Sequence, residues 1–137
     1  PHPGEMARLI GTTVEEVQSD RTGATKELAR KINKTVVLKG ACTVISTPDR
    51  RTALSQAANP GLASAGTGDV LSGVIAGLVA QGLSLFDAAS AGVFLHGEAG
   101  EMVRSRLGDT GMVASDLLTA FPLVIKQVKE YSLSQIP

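Results

Sequence analysis

Apolar positions change their period along this chain. Near the start, short helical patterns follow polar caps. Glu5 to Ile10 comes after Pro3, which a first helical turn tolerates, and Thr12 or Thr13 precedes a second short helix opening with Glu15 and Glu16. Thr22 to Lys31 predicts a third helix, with Leu28, Ala29 and Ile32 on its buried side. The pattern then becomes continuous and β-branched. Thr35-Val36-Val37-Leu38-Lys39 predicts a buried strand, Gly40-Ala41-Cys42 a turn, and Thr43-Val44-Ile45-Ser46 the next strand. A third short strand, Thr52 to Ser55, follows the turn at Pro48 to Arg51.

From there the chain reads as helical. Asn59-Pro60-Gly61 turns into a run of small residues ending in Gly66-Thr67-Gly68-Asp69, and Val70 to Gln81 is apolar nearly all round, as in a central helix. Gly73, Ala76, Gly77 and Ala80 recur on it at helical spacing, which permits close packing against a neighbour. Ser84 caps a long alanine-rich helix, Leu85 to Arg106, and Gly108 to Gly111 breaks it. Ser115-Asp116 caps a last helix that runs through Phe121 to about Glu130, with a kink expected at Pro122. Short strands followed by a helical half predict an α/β layer architecture whose remaining strands lie upstream. The opening at Pro1, inside the phrase Pro-His-Pro-Gly-Glu, reads as a fragment: residues 1–137 form one piece, the C-terminal part of a longer domain.

Composition narrows the classes. With 43% hydrophobic residues but only 3% aromatic and no Trp, the core must be built from Ala, Val, Leu and Ile. Thirteen basic and 13 acidic residues give a formal net charge of zero, with no basic patch pointing to nucleic acid. The single cysteine, Cys42, excludes an internal disulfide framework and any multi-cysteine metal site, and fits a reducing cytosol. Residues 70–80 are apolar but too short to span a bilayer.

The glycine-rich stretch carries the chemistry. A loop feeding a helix N-terminus is an anion site, because the first amides lack internal partners and the helix dipole is positive there. Gly66 and Gly68 let the backbone curl close to a phosphate. It is not a Walker A loop, since Asp69 follows Gly68 where Lys-Ser/Thr is required, nor a dinucleotide fingerprint, since Leu71 stands where the third glycine should be. Asp69 would repel a phosphate, so it reads either as a base working on a second reactant or as a first-turn helix acid.

Other candidates have two readings each. His2, between two prolines, is an imidazole aimed into a cleft or an exposed terminal histidine. Glu5 is a carboxylate within reach of hydrated magnesium or a first-turn acid. Lys39, at a strand end, neutralises phosphate or is a solvated lysine; Thr43 binds a ligand or is a strand threonine. Cys42 reads as a small filler, and His96 as a packed, hydrogen-bonded histidine rather than a catalyst. Asp109 and Thr110 read as turn residues.

Together, Pro1-His2-Pro3-Gly4-Glu5, Lys39-Gly40-Ala41-Cys42-Thr43-Val44-Ile45, Asn59-Pro60-Gly61, Gly66-Thr67-Gly68-Asp69-Val70-Leu71-Ser72-Gly73 and Ala114-Ser115-Asp116-Leu117-Leu118 closely resemble the ADP/ATP-dependent NAD(P)H-hydrate dehydratases of the ribokinase-like superfamily. Kinases of that superfamily usually carry Asn-x-x-Glu where this chain has His2 and Glu5. The resemblance implies a ribokinase-like layered α/β fold, present in its C-terminal part. It also implies an enzyme that repairs hydrated NADH or NADPH at the expense of a nucleotide, ADP in preference to ATP. Asp69 would then be the catalytic base and, with His2, contact the substrate. Lys39, Gly40, Ala41, Cys42, Thr43, Gly66, Thr67 and Gly68 would bind the nucleotide, and Glu5 would bear on magnesium. The family's members suggest a homo-oligomer in the cytoplasm. Two other readings stay open: a small-molecule kinase of the same superfamily, whose phosphorylated product would persist, and an idle nucleotide-binding module.

Overall fold

The computed structural model describes residues 1–134. Three short helices come first: α1 (Pro3–Ile10), α2 (Val14–Ser19) and α3 (Arg21–Ile32). Strands β1 (Val36–Leu38), β2 (Val44–Ser46) and β3 (Thr52–Leu54) follow, then a 3₁₀ turn at Pro60–Ala63 and the long helices α4 (Thr67–Ala80), α5 (Leu85–Leu107) and α6 (Ala114–Ser134). The predicted order of helices and strands is therefore the observed one, and its boundaries shift for local reasons. α3 starts at Arg21 because the Asp20 carboxylate accepts from the Gly23 amide and caps it. α4 starts at Thr67 rather than Val70, with Gly66 as its cap in a left-handed conformation (φ +84°). α6 continues past Pro122, which removes one amide from its ladder. Asp116 sits in its first turn and accepts from the Val113 amide at 2.9 Å.

The strands form one antiparallel sheet in the order β1-β2-β3, with Val36 opposite Ser46 and Ser46 opposite Thr52. Apolar side chains hold it between two helical groups. On one side Met6, Val17, Leu28 and Ala29 pack on Val36, Leu38 and Val44. On the other, Ile45 meets Leu71 of α4 and Ala89 and Val93 of α5. A third cluster joins α5 to α6 through Ala99, Val103, Leu117, Phe121 and Val124, closed by Met112. Full burial of a side chain such as Leu38 or Leu117 contributes about 1.5–3 kcal/mol.

Two burial expectations fail. Ile32, the last residue of α3, is 47% exposed, because the helix ends there and the left-handed Asn33 turns the chain away. The small-residue stripe of α4 does not pack: Gly73, Ala76, Gly77 and Ala80 are exposed, and a Cβ on Gly73 or Gly77 would meet nothing within 4 Å. Among the described residues, α4 is buried only at Thr67 and Leu71.

Candidate active site

A cleft of about 370 Å³ opens where the β1–β2 connection faces the N-terminus of α4 and the middle of α5. Its wall includes Lys39, Gly40, Ala41 and Thr43 from the first of these, and Thr67, Gly68 and Leu71 from the second. These two stretches lie 24 or more residues apart in sequence, and the fold brings them face to face. The contact is direct: a Cβ built on Gly68 would lie 3.0 Å from Lys39 Nζ. Lysine's ammonium thus stands over the first turn of α4, where the dipole alone would already favour an anion.

The loop amides divide into used and free. Asp69 and Val70 both donate to the Gly66 carbonyl at 3.1 Å, and Thr67 donates to Ser64. The Gly66 and Gly68 amides have no acceptor among the described residues. Thr67 is otherwise turned inward: its hydroxyl donates within the 3₁₀ turn region, to Leu62 O at 2.6 Å and Ser64 O at 2.8 Å, and its side chain is buried. Thr67 therefore fixes the loop, and its neighbours carry the open donors. Asp69 is exposed beside them.

Cys42 departs from its reading as a filler. It is exposed, takes a left-handed backbone (φ +55°), and gives its amide to Ala57 O at 3.3 Å. That bond pins the Ala57–Leu62 segment, which forms part of the cleft wall that sequence reasoning missed. Within it Asn59 caps the 3₁₀ turn, its Oδ1 accepting from Gly61 N at 2.9 Å.

Helix α5 supplies the far wall with Val93, His96 and Gly97. His96 is packed and hydrogen-bonded, as expected: Nε2 donates to Thr67 O at 2.9 Å. Burial lowers its pKa below the ordinary value, a shift the hydrogen bond partly opposes. The histidine is therefore neutral and ties α5 to the first residue of α4. A signal for this wall was present in the glycines of α5, since a mid-helix glycine disfavours the helix unless something needs the space. A Cβ on Gly97 would lie 2.9 Å from Ala57 Cβ, and one on Gly100 would lie 2.9 Å from Leu62.

His2 and Glu5 stand nearby but are occupied with each other. His2 caps α1, its Nδ1 accepting from Glu5 N at 3.2 Å, while Glu5 Oε2 accepts from His2 N at 2.7 Å. Glu5 Oε1 lies 3.4 Å from His2 Nε2. The His2 amide holds the Glu5 carboxyl below its usual range, with Lys39 adding a smaller push in the same direction. Oε2 of Glu5 is thus engaged in the cap, and no group of three or more His, Cys, Asp or Glu among the described residues could hold a metal ion. The residues here do not form a protein cage for magnesium. No helix of the described residues is long and apolar enough to cross a membrane.

Comparisons with known proteins identify the family and the fold. The family model for NAD(P)H-hydrate dehydratase matches residues 1–123. The chain is 47% identical over 130 residues to a bifunctional NAD(P)H-hydrate repair enzyme of Moorella thermoacetica, covering 95% of this chain and 24% of the relative. It is 46% identical over 121 residues to an ADP-dependent (S)-NAD(P)H-hydrate dehydratase of Neisseria meningitidis, covering 88% of this chain and 41% of the relative. Among solved structures, the ADP/ATP-dependent NAD(P)H-hydrate dehydratase of Bacillus subtilis co-crystallised with ATP and magnesium superposes with a TM-score of 0.89 at 36% identity, over 93% of this chain and 46% of that one. A ribokinase-like superfamily protein of Enterococcus faecalis superposes at 0.79 with 28% identity, so the fold is ribokinase-like. The chain spans between about a quarter and a half of the length of these relatives. With the loop motifs, their spatial meeting and the family match all covering the same residues, the chain belongs to the NAD(P)H-hydrate dehydratase family.

Proposed function

We propose that this chain supplies the nucleotide cleft and the catalytic base of an enzyme that dehydrates hydrated NADH or NADPH, with ADP as the preferred phosphoryl donor. The observation that carries the reading is the contact of Lys39 with Gly68 next to Asp69. Lys39 stands beside the open Gly68 amide, one residue from the exposed Asp69 carboxylate, and a cation, open amides and a carboxylate are what phosphoryl transfer to a hydroxyl requires. The carboxylate of Asp69 takes the proton of the ring hydroxyl. The hydroxyl oxygen forms a bond to the terminal phosphorus while the bridging P–O bond of the nucleotide breaks. Phosphate then leaves the ring carbon with its C–O electron pair, and loss of a proton from the adjacent carbon forms the double bond.

The amides of Gly66, Gly68, Gly40 and Ala41 carry the phosphate oxygens, and Thr67 and Cys42 shape the loops that present them. His2 meets the substrate from the α1 cap. Magnesium would belong to the nucleotide phosphates and water, which suits a hard cation that dehydrates reluctantly, and Glu5, with Oε2 held in the capping box, would bear on it through that water. The rest of the substrate pocket comes from the remainder of a longer domain, in keeping with the share of the relatives' length that this chain covers.

The test uses protein carrying the complete domain, with hydrated NADH, magnesium and either ADP or ATP. Recovery of the NADH absorbance that requires nucleotide and releases phosphate is the expected result, faster with ADP. Nucleotide binding with no recovery, or a phosphorylated product that persists, would replace this reading with the kinase one.

A further inference from the structure

Arg21 opens α3, far from either glycine motif in sequence, yet its guanidinium lies under the β1–β2 connection. Nη2 donates to Leu38 O and to Lys39 O, both at 3.2 Å. Nη1 donates to Gln18 Oε1 at 2.7 Å, and Nε is buried with no acceptor among the described residues. The next carbonyl along, that of Gly40, accepts from Thr43 Oγ1 at 3.0 Å. Three successive carbonyls at the end of β1 are therefore each held by a side-chain donor. The amides of Gly40 and Ala41, in contrast, have no acceptor among the described residues, and both residues line the cleft.

The loop backbone also rests on the guanidinium itself. A Cβ on Gly40 would lie 3.3 Å from Nη2 and 3.5 Å from Nη1, and Gly40 is held at φ +130°, a conformation that suits glycine. Burial pushes the guanidinium's pKa down, but arginine starts so high that the charge stays. A fixed cation thus sits directly behind open amides. Such a pair of amides is an anion cradle only if its carbonyls are kept out of the cleft, and arginine's rigid fork can hold two of them at once.

We propose that Arg21 is a positioning residue for the nucleotide's phosphates: it holds the Lys39–Thr43 loop with its amides toward the cleft and backs them with positive charge, without touching the nucleotide. This rests on the reading of that loop as a nucleotide cradle. A merely structural Arg21 would staple α3 to the sheet and leave the binding preferences of folded protein unchanged.

The experiment compares ADP and adenosine binding by calorimetry in the complete domain, for wild type, Arg21→Met and Arg21→Lys, with thermal melts alongside. Removing the fork and its charge should weaken ADP binding by about tenfold or more, while adenosine affinity moves less than about twofold. The KM for nucleotide should rise with little change in kcat. Arg21→Lys keeps the charge but not the fork, so it should lose about threefold for ADP and recover the rest. Should the Met variant not fold, the Lys variant decides alone: ADP affinity equal to wild type overturns the proposal. Equal losses for ADP and adenosine in either variant also overturn it. Wild-type protein that binds neither ADP nor ATP would instead overturn the cradle reading, which separates the two failures.

Discussion

Lys39 and Gly68 touch across the cleft: a Cβ on Gly68 would lie 3.0 Å from the lysine's Nζ. The two residues lie 29 positions apart in sequence, and their contact joins a strand end to a helix N-terminus. Gly68→Ala should therefore displace the ammonium by a few tenths of an ångström without disturbing the fold, since the far end of a lysine is free to move. We expect nucleotide affinity to fall by about tenfold, roughly 1.4 kcal/mol, with an unchanged or slightly raised Tm because alanine suits a helix better than glycine. Calorimetric titration with ADP checks it. Wild-type affinity in this variant would mean that the lysine does not work from above α4.

Asp69 is exposed next to the open amides of α4, and its own amide is already spent on Gly66. Nothing in the fold needs its carboxylate. Asp69→Asn in the complete domain should leave Tm and nucleotide affinity close to wild type while turnover drops by about 10²–10⁴, the range of a lost general base. Turnover at the wild-type rate would return Asp69 to the role of a first-turn acid.

His2 joins the cap of α1 to the proposed substrate contact, and two substitutions separate these roles. His2→Asn keeps a capping acceptor for the Glu5 amide; His2→Ala does not. The alanine variant should melt lower by about 3 °C, and the asparagine variant by less than about 1 °C. Both should raise the KM for hydrated NADPH. If KM followed Tm alone, with the asparagine variant normal in both, His2 would be a cap and nothing more.

Much of this was legible from local pattern. The β-branched runs at Val36–Leu38 and Val44–Ser46 and the caps at Thr13 and Ser84 are decided by near neighbours, so sequence reasoning finds them. What depends on distant partners was not legible. The start of α4 moved to Thr67 because the carbonyl of Gly66 accepts two amides, which composition does not announce. The bare face of α4 at Gly73 and Gly77 shows that small residues signal room for a neighbour, not its presence in this chain. The pairing of Glu5 with His2 has the three-residue spacing of a capping box, but a histidine is an unusual cap, so the spacing alone does not announce it. The wall formed by His96, Gly97 and the Ala57–Leu62 segment needed the fold, because it depends on α5 crossing behind a loop nearly forty residues earlier.

His96 gives that wall a pH signature. Its Nε2 bond to Thr67 O links α5 to α4, and burial keeps the ring neutral by lowering its pKa from the ordinary 6.5. In the unfolded chain the same ring takes up a proton as pH falls below about 6.5, so there the unfolded state binds more protons than the folded one. Stability from this site is thus fully present above that value. It declines as pH falls, with a slope of up to about 1.4 kcal/mol per pH unit, until the folded-state pKa is passed. Glu5 and Asp49 have the same sign of pH dependence, in a more acidic window and from a different cause. The His2 amide and the Thr47 hydroxyl, respectively, hold their carboxyls below the ordinary 4.5 and 3.8, so their contributions persist until the solution is more acidic than those values. The interval between about pH 6.5 and 5 therefore belongs largely to the histidine. His96→Gln retains a donor for Thr67 O but does not titrate. Chemical denaturation of the complete domain at several pH values should show wild type losing stability across that interval relative to the glutamine variant, and the difference levelling off above pH 7. Parallel curves for the two proteins would mean that the ring is not kept neutral in the fold, and the link between α5 and α4 would then have to be a charged one.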